Sequence, residues 1–201
     1  MNEVSCVPLQ QCLRHQQSAF KNFFEGRDGK LFLAKSSEPL NIRWSRALSS
    51  APSTVTISRD AAGRYFVSCL CEFEPQALPV TPKMIGIDMG LKDLFVPSEG
   101  EPVANARHTA KYASRLALAQ RSLSRKNRAR ARQKVARIHA KISDCRLDGL
   151  HKLSRRLINE NQVVCVENLA VKNMIRNPRL SRAIADAGWG ELVRQLEYKG
   201  A

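Results

Sequence analysis

The chain has no Cys-x-x-Cys pair, no apolar leader at its N-terminus, and no glycine-rich loop after residue 90 of the kind that cradles a nucleotide phosphate. The first absence argues against a zinc ribbon within these residues, because ribbons hold their metal with closely spaced cysteine pairs. The second leaves nothing to direct export. The six cysteines, Cys6, Cys12, Cys69, Cys71, Cys145 and Cys165, follow no secretory spacing, so a reducing cytoplasm is the expected compartment. Cys69 and Cys165 sit among strand-like apolar residues and read as small buried hydrophobes.

A fourth shortage is local. Residues 107–156 hold only 2 acidic side chains against 16 basic ones, whereas residues 1–106 hold 11 of each and residues 157–201 hold 5 acidic and 6 basic. Nearly all of the net +15 therefore lies in one stretch. Two acids are too few to pair such a helix face internally at i to i+4. Charge this dense repels itself unless a polyanion neutralises it, which points to nucleic acid. A helix lying on a membrane would carry long Leu, Phe or Trp opposite the charge. This stretch offers mostly Ala and scattered aliphatics, so no membrane partner is expected. Arg121, Arg125, Lys126, Arg128, Arg130, Arg132, Lys134 and Arg137 are the candidate nucleic-acid contacts.

Hydrophobic residues make up 43% of the sequence, enough for a packed core. Pro8 to Phe24 reads as a helix stopped by Gly26. Asn41 to Arg46, Ser53 to Arg59 and Arg64 to Phe73 alternate like strands. Tyr65, Val67, Cys69, Cys71 and Phe73 fall on one face, with a turn at Asp60 to Gly63, and together these make a small antiparallel β unit. Pro75, Pro79 and Pro82 then stiffen a linker, marking a boundary near residue 80.

Beyond it, strands are expected at Met84 to Asp88 and Asp93 to Pro97, with a third near Val103. Two helices follow. Tyr112, Leu116, Ala119 and Leu123 stripe the first. Val135, Ile138, Ile142 and Cys145 begin a second stripe that continues through Leu150, Leu153 and Leu157. A turn within Ser124 to Arg130 makes them an antiparallel hairpin over 107–160. Val163 to Val166 reads as a short buried strand. Leu180 to Ala187 and Trp189 to Tyr198 read as helices around a Gly188, Trp189, Gly190 break.

Chemistry concentrates at two strand ends. Met84-Ile85-Gly86-Ile87-Asp88-Met89-Gly90 delivers a carboxylate between glycines that allow close approach, and Val163-Val164-Cys165-Val166-Glu167 delivers a second. If the strands are neighbours, Asp88 and Glu167 converge, and two like charges so placed call for a divalent cation. Magnesium held there activates water and stabilises the oxygens of a phosphodiester undergoing displacement. A Gly-Ile-Asp-x-Gly strand also serves the actin and sugar-kinase ATPases, but that reading requires the phosphate loops the sequence lacks.

Gly86-Ile87-Asp88-Met89-Gly90-Leu91-Lys92-Asp93-Leu94 resembles the first RuvC strand and hairpin of the TnpB, or OrfB-type, insertion-sequence family. Val166-Glu167-Asn168-Leu169 resembles that family's second catalytic strand. Leu123-Ser124-Arg125-Lys126 and Leu150-His151-Lys152-Leu153-Ser154 resemble its helical hairpin, and Ile184-Ala185-Asp186-Ala187-Gly188-Trp189-Gly190-Glu191 a further signature. Ala19 to Phe24 and Ile42 to Arg46 resemble pieces of its recognition and wedge domains. The resemblance implies an α/β fold: an incomplete RNase H-like (RuvC-like) domain over 81–201 with a basic helical hairpin insertion, preceded over 1–80 by a helix and a wedge-like β remnant.

The same resemblance implies RNA-guided DNA cleavage, with DNA and a guide RNA as partners and Mg2+ held by Asp88 and Glu167 as the catalytic and metal residues. The family's zinc ribbon and third catalytic Asp lie downstream of the equivalent of Ala201, and Asp186 does not replace that Asp. The expected metal site is weak, the expected chain is cleavage-deficient, and one face of the Met84 to Asp88 strand is expected to be incompletely covered. Three readings stay open: a nuclease fragment, a binding protein without cleavage, and the product of a decayed copy.

Overall fold

The computed structural model describes residues 38–126 and 128–200, with the side chain of Lys126 outside that description. The predicted helix over Pro8 to Phe24, its Gly26 stop, the Ala19 to Phe24 motif, Cys6 and Cys12 fall outside it. The described chain divides into two units, one of residues 38–59 and Tyr65–Pro75, the other of Asp60–Arg64 and residues 76–200.

In the first unit β1 (Thr54–Arg59) pairs antiparallel with β2 (Tyr65–Leu70), from Thr54 opposite Leu70 to Arg59 opposite Tyr65. The connecting turn closes where Asp60 Oδ1 accepts the Arg64 backbone N–H at 2.8 Å. β2 stops three residues short of the expected end, because the Ser53 N–H to Leu70 carbonyl bond is the last that β1 can offer. Phe73 beyond it is 73% exposed. Asn41 to Arg46 is not a strand. It meets no partner strand among the described residues, and alternation alone leaves a backbone unpaired.

The second unit is mixed α/β. Its four strands are β3 (Met84–Met89), β4 (Asp93–Pro97), β5 (Val103–Ala104) and β6 (Val163–Val166), in the order β5-β4-β3-β6. β4 runs antiparallel to β3 and β5, whereas β6 runs parallel to β3. Between β5 and β6 come α1 (His108–Lys111), α2 (Ala113–Lys126) and the long α3 (Ala129–Glu160). After β6 come α4 (Val171–Met174), α5 (Ser181–Ala187) and α6 (Trp189–Gly200). Gly188 alone breaks α5 from α6, since Trp189 and Gly190 already open the second helix.

Alternation along β3 turns Ile85, Ile87 and Met89 inward, where Leu150 and Leu157 of α3, Ile184 of α5, and Leu192 and Leu196 of α6 complete the core. α2 folds back along the first half of α3, and Ala119, Ile138 and Ile142 are buried between them, joined by Leu116 and Val135. No helix among the described residues is long and apolar enough to cross a membrane. The other sheet face is open: Met84, Val96 and Val163 are 66%, 43% and 41% exposed. Cys165 belongs to that face and is exposed, contrary to its expected burial. β6 is an edge strand, and only its Val164 and Val166 turn toward the core. Cys69 is half-buried.

Gly90 makes the β3–β4 turn, its N–H donating to the Leu94 carbonyl at 3.2 Å. A Cβ there would stand 2.8 Å from the Asp93 carbonyl oxygen, a backbone atom that cannot step aside. Gly90→Ala should therefore cost about 1–3 kcal/mol of stability. Urea unfolding measures it, and an unchanged midpoint would contradict the tight turn.

Candidate functional site

β3 and β6 build one end of the site. Their parallel register sets Gly86 opposite Cys165 and Ile87 opposite Val166, so the next step carries Asp88 to the level of Glu167. Both follow an inward-facing apolar residue, and both are exposed at the strand ends. Neighbouring strands lie about 4.8 Å apart, so the two carboxylates share one edge of the open sheet face. Oxygen donors of this type suit a hard cation. Among the described residues no group of three or more His, Cys, Asp or Glu is arranged to hold a metal.

The helical pair supplies the other element. Arg121 and Arg125 project from α2 and Arg130, Arg132, Lys134 and Arg137 from the first turns of α3; all are exposed, as is Arg128 immediately before α3. The apolar stripe consumes one face of each helix in their mutual contact, which leaves the cations outside. No acidic residue stands in the first turn of α3 and no side chain caps it. Cations at the positive end of a helix dipole are unfavourable by themselves, and a phosphate there would relieve the repulsion. Lys126 lies outside the described side chains.

Two polar networks that the sequence did not announce hold this frame together. Asp186, 9% exposed, accepts from the Thr109 N–H at 2.9 Å, from the Thr109 hydroxyl at 2.7 Å and from Arg146 Nη2 at 2.8 Å. Arg146 Nε also donates to the Asp186 carbonyl at 3.0 Å. Burial pushes the Asp186 carboxyl upward, but the Arg146 and Thr109 donors outweigh it and hold the group below the ordinary Asp range. Beside it Gly188 takes φ 71°, and a Cβ there would sit 3.1 Å from both Arg146 and Leu150. A lone acid within Ile184-Ala185-Asp186-Ala187 was the available signal. Its partners, 40 and 77 positions away, left none.

The second network joins α3 to α6. Buried Ser154 donates to Gln195 Oε1 at 2.9 Å and accepts from Lys199 Nζ at 2.6 Å, while Gln195 Nε2 donates to Glu191 at 2.8 Å. Partial burial lowers the Lys199 pKa. A serine beside such a lysine has the look of a nucleophile pair, but Ser154 is 0% exposed and no substrate reaches it. The role is structural.

Residues 68–178 match the OrfB_IS605 family, whose description reads "Probable transposase". Over the whole chain the sequence is 48% identical to a Streptomyces pristinaespiralis protein named "Putative RNA-guided DNA endonuclease", and over 96% of the chain it is 31% identical to the Escherichia coli K12 protein named "Putative RNA-guided DNA endonuclease InsQ". The chain spans 58% and 59% of the lengths of these relatives. The family match covers more than half of the residues and includes β3, β6, Asp88, Glu167 and the entire basic helical pair. On that ground this chain is a member of the OrfB_IS605 family of insertion-sequence transposase proteins.

Proposed function

We propose that the chain is the nucleic-acid-binding part of a TnpB-like RNA-guided DNA endonuclease, with a guide RNA and DNA as partners. In this reading residues 81–201 form a partial RuvC-like, RNase H-like domain, residues 107–160 its helical insertion, and residues 1–80 a wedge-like remnant. The observation that carries it is the parallel β3–β6 register, which levels Asp88 with Glu167 in the same unit as a helical pair whose exposed charged side chains are mostly arginine and lysine.

Asp88 and Glu167 would hold magnesium, and their oxygen donor set fits that ion. The bound ion would supply charge neutralisation and activation of water. The protein's own contribution is positional. β3 and β6 bring the two carboxylates to one level, and arginines and lysines of α2 and of the first half of α3 would hold phosphates. Mg2+ accepts one or two protein carboxylates with water completing its shell, so weak binding is expected of this pair. Two-metal cleavage needs ions about 3.5–4 Å apart, clamped by more negative charge than two carboxylates provide.

These 201 residues alone are therefore expected to bind nucleic acid without cutting it. The assay combines the purified chain, magnesium, a candidate guide RNA and a plasmid target. Cleavage abolished by Asp88→Ala would sink the cleavage-deficient reading and show that another group completes the site. Binding without cleavage that survives Asp88→Ala supports it. Paramagnetic broadening by Mn2+ near β3 and β6, lost in Glu167→Ala, would report the metal site independently.

A further inference from the structure

A groove of about 390 Å³ opens beside the second half of α3, beyond the part that α2 covers. Its floor is apolar, formed by Leu94 and Val103 of the sheet and Leu150 and Leu153 of α3. Its rim carries Lys152 and Arg156, both exposed, with His108 and Arg146 further along. Two carboxylates stand nearby and neither dominates. Asp186 is occupied by Thr109 and Arg146, and Asp148 pairs with Lys152 at 2.7 Å in solvent. Arg156 has no ion-pair partner among the described residues. β5 is an edge strand, so Ala104 borders the groove from an exposed position.

We infer that this groove receives one unstacked nucleotide of a single-stranded nucleic acid, the base on the apolar floor and its phosphate against Arg156 and Lys152. The inference rests on the nucleic-acid reading above. The volume falls in the range of about 300–1,000 Å³ typical of small-ligand sites, and such sites combine an apolar lining with few polar groups. Inorganic phosphate would use only the rim and leave the floor wet. A nucleotide uses both, since its base has an apolar face and its phosphate a charge. Burial lowers the His108 pKa, so at neutral pH its ring is an uncharged surface on which a base can stack. Continuity with the basic helical pair adds a delivery route. From Arg132 to Arg156 along α3 is roughly 36 Å at 1.5 Å per residue, a span that a short single strand tracking the helix covers.

Adenosine monophosphate titrated into the full chain should shift the methyl resonances of Leu94, Val103 and Leu153, whereas inorganic phosphate should leave them in place. Ala104→Trp, which fills the groove from an exposed edge, and Arg156→Ala should each weaken the nucleotide by about tenfold, the scale of one stacked base. Ala104→Trp, which lies outside the helical pair, should leave the affinity and salt dependence for duplex DNA unchanged. Methyl resonances unmoved by the mononucleotide overturn the groove proposal, even if duplex binding is intact. Loss of duplex binding with methyl shifts retained would instead overturn the basic-pair reading. RNA and DNA oligonucleotides of one sequence, each with a single 2-aminopurine, identify the source. Emission that rises on binding only RNA, only DNA, or both, and that Ala104→Trp suppresses, supports the proposal and names the strand. Binding of both without any rise contradicts it.

Discussion

Raising salt from 50 to 200 mM is expected to weaken the chain's binding to nucleic acid by about 10³–10⁵-fold, the loss associated with neutralising six to ten phosphates. The cause is counterion release. Every lysine or arginine that meets a phosphate frees condensed cations, and the gain from freeing them shrinks as bulk salt rises. Seven of the eight candidate cations are exposed on α2, on α3 or just before α3, and the eighth is Lys126. Replacing Arg128, Arg130, Arg132 and Lys134 together by Ala should lower the slope of log K against log salt by roughly 3–4 for B-DNA, about 0.9 per phosphate contact. A slope the four substitutions leave unchanged would move the interface elsewhere on the chain. The substitutions should leave the fold intact, because all four side chains are exposed and none belongs to the Ala119, Ile138 and Ile142 contact.

Asp186→Ala should destabilise the second unit by roughly 3–5 kcal/mol, the usual result of removing one partner from a buried ion pair. Arg146 keeps 24% side-chain exposure and can regain some water, which places the effect toward the lower end. The loss is not confined to one bond, since Thr109 at the start of α1 and Arg146 in the middle of α3 both depend on the same carboxylate. The pH dependence has a definite sign. The folded-state pKa of Asp186 is lowered, so its contribution is fully present above the unfolded value near 3.9 and fades as pH falls through the lower native value. Chemical denaturation of the parent chain and Asp186→Asn should therefore differ most near neutral pH and converge in strong acid. Curves that stay parallel throughout would show that the carboxylate charge is not what holds the network.

The paired strands, the longer helices of the second unit and the charged face were legible in the amino-acid sequence, whereas the single-turn helices α1 and α4 were not. β4 covers the expected Asp93 to Pro97, the Val135 to Leu157 stripe lies along one continuous helix, and the density of arginine over 107–156 exposed its own face. Hydrophobic period and charge density depend on residues a few positions apart, so a linear chain carries them. Less local features went differently. Asn41 to Arg46 alternates but finds no partner strand among the described residues. Cys165 sits in an apolar run but on the open side of an edge strand, because only the order of strands sets which face is covered.

The candidate metal edge mixes the two kinds of information. Each carboxylate could be set at the end of a strand from its neighbours in the chain, whereas their common level follows from β3 and β6 pairing in parallel in one particular register. The Asp186 to Thr109 and Arg146 network, the Ser154 to Gln195 contact and the groove beside Arg156 had no signature in the chain beyond a lone acid among alanines. Their hydrogen-bonded members lie 40, 41 and 77 positions apart. A side chain's charge and size are properties of its residue, so the order of residues was enough to specify the longer elements of the second unit, most of their apolar faces and the basic surface. A hydrogen bond or a cavity is a property of two distant segments held within a few ångströms, and which of them met depended on how α3 and α5 pack against the sheet.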